Sequence, residues 1–211
     1  MKKLGISILL VSTVILAFMN VSETAAKKEE IVVGAPFPLD FLYGWTPHKA
    51  MQIAIDEINA SGGVNVAGKK MPFKVIYINS KDLEPTATIE GVLAKVEDLI
   101  VNRKPDFLMG GPTRSEIGVA ALDLIRKHKI VHILTTGVLT PAYHNKIASN
   151  YDKYKYGFRI TSHGGVIAND FLSVVKQIRE QYRLNKVFLM LQTVEHAQKG
   201  GSIMKLSLIH I

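Results

Sequence analysis

The chain has 211 residues, 47% of them hydrophobic and 21% charged, with a formal net charge of +8 and no cysteine. That length allows one large or two smaller domains, and that composition is enough to build a buried core, which excludes a disordered chain. The lack of cysteine excludes disulfide stapling and lipid anchoring at a processed N-terminal cysteine.

Lys2 and Lys3 precede an apolar stretch over 4–21, then Thr24-Ala25-Ala26 and Lys27-Lys28. This is the charge, apolar core and small-residue order of a secretory signal peptide, predicted over 1–26. The stretch nearly reaches membrane-spanning length, but Asn20, Ser22 and the small pair after them favour cleavage over anchoring. Its removal takes away Lys2, Lys3 and Glu23 and leaves an excess of +7, spread as pairs such as Lys69-Lys70 without an aromatic-interleaved stripe. That pattern reads as a solvated basic surface, with no nucleic-acid partner.

A β-branched run over 31–35 predicts a buried strand. Phe41, Tyr43 and Trp45 then fall in what reads as a loop over 40–46, because Thr46 has the character of an N-cap and Pro47 that of a first-turn proline. Met51, Ala54, Ile55 and Ile58 mark one helical face, ended by Ser61-Gly62-Gly63. A strand over 73–78 follows, then a helix carrying Ile89, Val92, Leu93, Val96 and Ile100. Next come a strand over 106–109, a helix from about Ser115, and a strand over 130–134 closed by Thr135-Thr136-Gly137. Strands alternating with helices of this length predict an α/β fold with a doubly wound parallel sheet. Beyond a tyrosine-rich stretch, a short strand over 158–160 precedes a helix with Ile167, Phe171, Val174, Ile178 and Tyr182 inward, and 186–191 reads as one more buried strand.

No dinucleotide fingerprint, P-loop or nucleophile elbow occurs, and the histidines at 48, 128, 132, 144, 163 and 196 lack metal-ligand spacing and read as surface or loop residues. We therefore expect no catalytic residue, cofactor or metal, and no enzymatic activity. In an open α/β sheet, ligands bind beyond the carboxyl ends of the strands. The loops 40–46, 111–115 and 135–140 should converge there. Ser115 is either a ligand hydroxyl or a plain N-cap, and Tyr43 is either a ligand contact or half-buried packing against the first helix.

The stretch "LYGWTPHKAMQIAIDEINASGGV", the acidic turn Asp82–Pro85, "GGPTRSE" and "YGFRIT", in this order and spacing, resemble the branched-chain amino-acid-binding proteins of ABC transporters. The resemblance covers about 31–186. It implies a type I periplasmic binding fold with a complete first lobe over 27–157 and the start of an incomplete second lobe over 158–204. The tail 205–211 matches nothing expected and reads as non-native. The resemblance also implies a periplasmic monomer that closes on a small-molecule solute and delivers it to an ABC permease in the inner membrane. Residue by residue, Tyr43 falls at the aromatic against the ligand, Ser115 at the hydroxyl meeting an α-carboxylate, and Thr136 at a carbonyl facing an α-ammonium. Gly137 belongs to the same loop. The next position, usually threonine, is Val138, and the aromatic–glycine pair of the second lobe is His196-Ala197; both depart from the pattern. A sensor domain for amides or amino acids is the alternative, which the signal peptide and the lack of an attached output domain disfavour. Genes for a permease and an ATPase beside this one would decide for transport. Expressed with its own start in a Gram-negative host, the chain is expected to be cut near Ala26 and recovered from the periplasm. N-terminal sequencing of that fraction checks this, and an intact N-terminus in the membrane fraction would count against it.

Overall fold

The structure is a computed structural model that describes residues 29–193 and 195–209, except for the side chains of 195, 196, 199 and 206–209. The predicted signal-peptide segment, 1–26, lies outside the described residues. Strands β1 (Ile31–Phe37), β4 (Phe73–Asn79), β5 (Phe107–Gly110), β6 (Val131–Leu134) and β7 (Gly157–Arg159) form one parallel sheet in the order β4-β1-β5-β6-β7. Between β1 and β4 lie helix α1 (Leu42–Ala60) and a small hairpin of β2 (Val64–Val66) and β3 (Lys69–Met71). Helix α2 (Ile89–Arg103) links β4 to β5, and α3 (Ser115–His128) links β5 to β6. Two short helices, α4 (Ala142–Ser149) and α5 (Tyr151–Tyr154), precede β7, and α6 (Gly164–Tyr182) and α7 (Glu195–Ile209) follow it.

The alternation of side chains along each strand assigns the two faces of the sheet. Val33, Ala35 and Phe37, with Phe73, Val75, Tyr77, Phe107 and Met109, pack against Met51 and Ile55 of α1. Leu108, with Ile76 and Ile78, packs on the other face against Val96, Leu99 and Ile100 of α2 and Ala121, Leu124 and Ile125 of α3. Burying both faces explains why the strands read as continuous apolar runs.

Four expectations need correction. Helix α1 begins at Leu42, four residues before the predicted cap, so Tyr43 and Trp45 lie in its first turn and Pro47 inside it. The early start depends on Gly44, which is buried so close to Pro38 that a Cβ would overlap the Pro38 carbonyl. Second, the strand placed at the start of a second lobe is β7, which pairs with β6 in the first sheet. Third, 186–191 is not a strand: Phe188 is 89% and Met190 87% exposed, and Ile167, Phe171, Val174, Ile178 and Tyr182 of α6 face outward. An apolar strand needs a neighbour, and the one large sheet among the described residues offers it none. Fourth, His132 is not a surface residue but a core residue on β6, 1% exposed.

His132 Nε2 donates to the Gly111 carbonyl at 2.9 Å, which ties β6 to the loop after β5, while Nδ1 is buried without a partner. Burial lowers its pKa to about 4, against the opposing pull of the Gly111 bond. The unfolded chain, titrating near the ordinary histidine value of 6.5, therefore binds more protons between those limits. The stabilisation is complete above about pH 6.5 and lost as pH falls toward 4, a change of about 3 kcal/mol. Urea unfolding between pH 7.5 and 4 should show this slope in the wild type and a shallower one in His132→Gln; parallel slopes would remove His132 as the cause.

Candidate ligand site

A groove of about 570 Å³ opens at the carboxyl ends of the strands, where the order of the sheet reverses beside β1. Leu42, Tyr43, Thr46 and Pro47 enter from the first turns of α1, and Thr113 from the loop after β5. Thr135, Thr136, Gly137 and Leu139 come from the loop after β6, and Thr161, Ser162 and Ile167 from beyond β7. No acidic or basic side chain lines it among the described residues. The lining is a row of hydroxyls facing aliphatic groups, suited to a small solute with hydrogen-bonding and apolar parts.

Two loops give the groove its floor. Asp82, fully buried, accepts from the backbone N–H of Thr113 at 2.7 Å and of Arg114 at 3.0 Å, and from Ser80 Oγ. These bonds satisfy donors at the start of α3, where Arg114 occupies the N-cap without a side-chain cap of its own. Thr113 then reaches the next loop: its carbonyl accepts from Val138 N–H at 2.9 Å, and its Oγ1 lies 3.3 Å from Thr136 Oγ1. Both Gly137 and Val138 have φ of +49°. Glycine takes this left-handed conformation without strain, but a β-branched valine does so at a cost of about 1–2 kcal/mol. The backbone carbonyls of Gly137, Val138, Leu139 and Thr140 accept from Thr161 Oγ1, Arg159, Gly164 N–H and Arg159, which holds the turn in place. Arg159 also donates to His144 Nδ1 at 2.8 Å, so that nitrogen carries a lone pair; burial first, and then the charges of Arg159 and His163, lower the His144 pKa.

Tyr43, Thr136 and Gly137 are thus brought together at the groove. Tyr43 is 76% exposed, so it is not packed against the helix it begins. Phe41, the extended residue before α1, does not line the groove, and neither does Trp45, because residues two apart on a helix point to different sides. Ser115 is not the N-cap; it is the first residue of α3, 2% exposed, and its Oγ has no partner and does not line the groove. Val138 is corrected outright. It is a core residue packed with Leu122, Leu134 and Tyr143, and its N–H is already used. The side chain of His196 lies outside the described residues. Thr113, Thr135, Thr161 and Ser162 are additions. A reading of 158–160 as a fifth strand of the first sheet would have pointed to Thr161 and Ser162, since they follow its carboxyl end.

No protein-family model and no curated protein matches the sequence. Solved structures do match. A protein assigned to branched-chain amino-acid ABC transport in Silicibacter pomeroyi superposes with a TM-score of 0.68 at 17% identity, over 86% of this chain and 45% of that one. The ABC transporter substrate-binding protein of Desulfitobacterium hafniense in complex with Leu gives 0.61 at 19% identity, over 86% and 48%. A solute-binding protein of an ABC transporter from R. palustris in complex with 4-hydroxybenzoate gives 0.62 at 16% identity, over 86% and 44%. The fold is the type I periplasmic binding fold. The chain spans a little under half the length of these neighbours, and its described residues form one α/β lobe of that fold, followed by α6 and α7.

The turn at Gly137 packs directly on the loop before α3, since a Cβ there would overlap the Thr113 carbonyl. Gly137→Ala should lower stability by about 2–4 kcal/mol, from left-handed strain and overpacking together. Chemical denaturation checks this; wild-type stability would show that the turn relaxes freely.

Proposed function

We propose that this chain provides the solute-holding lobe of an extracytoplasmic binding protein of an ABC transporter, which captures a small organic solute and passes it to a membrane permease. The observation that carries the reading is the uncharged, hydroxyl-lined groove at the sheet's switch point, with Tyr43 on one side and Thr136 and Gly137 on the other. Hydroxyls from three loops can share a carboxylate or an amide, and the aliphatic rim with Tyr43 covers an apolar or planar body. The leucine and 4-hydroxybenzoate complexes of structural neighbours are of this kind and support the solute class proposed, an amino acid or a small aromatic acid. Reversible binding without turnover is part of the proposal.

Ser115 stands apart. Its unpartnered Oγ is buried and outside the groove lining, so Ser115 is not among the proposed solute contacts. Calorimetric titration of the mature chain with leucine, isoleucine and 4-hydroxybenzoate tests the function. For whichever solute binds, Tyr43→Ala and Thr136→Val should each weaken affinity, the latter by about 0.5–1.5 kcal/mol. Ser115→Ala should leave affinity at the wild-type value, because its Oγ does not line the groove. Binding of none of these solutes, or recovery of a chemically altered solute, would count against the proposal.

A further inference from the structure

Arg159 ends β7, opposite Leu134 of β6 in the sheet register. Its Nη1 donates to the Val138 carbonyl and, at 3.1 Å, to that of Thr140. Its Nη2 donates to His144 on α4, and its guanidinium carbon lies 5.6 Å from the centre of the Tyr143 ring. Tyr143 is fully buried, so the cation is backed by a fixed aromatic face. A guanidinium is a rigid planar fork of donors only, so two carbonyls turned toward it fix the orientation of both peptide units. The residues between and before those units, Leu139, Gly137 and Thr136, are the groove's wall after β6. Arg159 itself does not line the groove.

We propose that Arg159 is the positioning residue of the solute groove: it sets the 136–139 wall through the loop backbone without touching the solute. This rests on the solute-binding reading above. Thr161 and Gly164 hold the two alternate carbonyls of the same turn, but each makes a single neutral bond. Arg159 holds two with a charge, and links them to α4 as well. A lysine at this position can donate to a carbonyl but cannot span both carbonyls and His144, so it should restore the wall only in part.

The test compares wild type, Arg159→Met and Arg159→Lys by amide hydrogen exchange and by calorimetric titration with leucine, isoleucine and 4-hydroxybenzoate. The informative amides are those of Val138, bonded to Thr113, and Gly164, bonded to Leu139. In Arg159→Met they should exchange at least about tenfold faster while the amides of β1 and β4 keep their protection, and Arg159→Lys should fall between. Affinity for the probe that wild type binds should fall in the same order. Unchanged exchange, or a uniform rise across the sheet, would overturn the proposal, and so would a loosened loop with wild-type affinity. If wild type binds none of leucine, isoleucine and 4-hydroxybenzoate, the solute reading fails, and the exchange pattern still decides whether Arg159 sets the wall.

Discussion

Asp82 is a carboxylate buried at the end of the sheet's outer strand, and the arrangement of the whole groove descends from what it accepts. By taking the N–H groups of Thr113 and Arg114, it fixes the loop after β5. Thr113, once fixed, presents its carbonyl to Val138 and so fixes the loop after β6. Val138 in turn offers its own carbonyl to Arg159 on β7, the opposite edge of the sheet. One polar relay thus crosses the carboxyl edge from the β4 side to β7, with each step accepting or donating at backbone. Buried polar groups are costly unless matched, and matched ones specify a single geometry. The relay therefore holds an open groove in shape where no apolar core could, because a core there would fill it.

The fold was legible wherever one local rule governed one element. The β-branched runs at 31–35 and 73–78 and the helical spacing of Val92, Val96 and Ile100 correspond to elements that pack into the two apolar layers on the faces of the sheet. The rules failed where tertiary contact outweighs them. Thr46-Pro47 has the local form of a helix start, but close approach to Pro38 starts the helix earlier. The hairpin over Val64–Met71 and helices α4 and α5 are short and mostly polar, and carry too weak a period to see. In the site, Tyr43, Thr136 and Gly137 were visible as loop residues of the right type. Whether a side chain turns to the groove or the core depends on φ and on long-range bonds, which is why Val138 was misplaced and Thr161 missed.

Helix α6 and the run that follows it show the converse. Their apolar pattern is as strong as that of α3, yet Ile167, Phe171 and Val174 remain in water, and so does Phe188. An amphipathic stripe states that an element needs a partner surface. It does not create one, and the single large sheet among the described residues is already covered on its two faces by α1 and by α2 with α3.

Trp45 is the only tryptophan in the sequence. It stands half-exposed in the first turn of α1, one residue from groove-lining Thr46 and two from Tyr43, with the ammonium of Lys49 6.0 Å from its ring centre. All indole emission from this protein therefore has one origin, in the helix turn that also supplies Tyr43 and Thr46 but on another side of it. An indole in that position responds in wavelength to lost water and in intensity to a displaced cation. The molecule carries its own optical reporter of the first turn of α1, and needs no label for that turn to be followed.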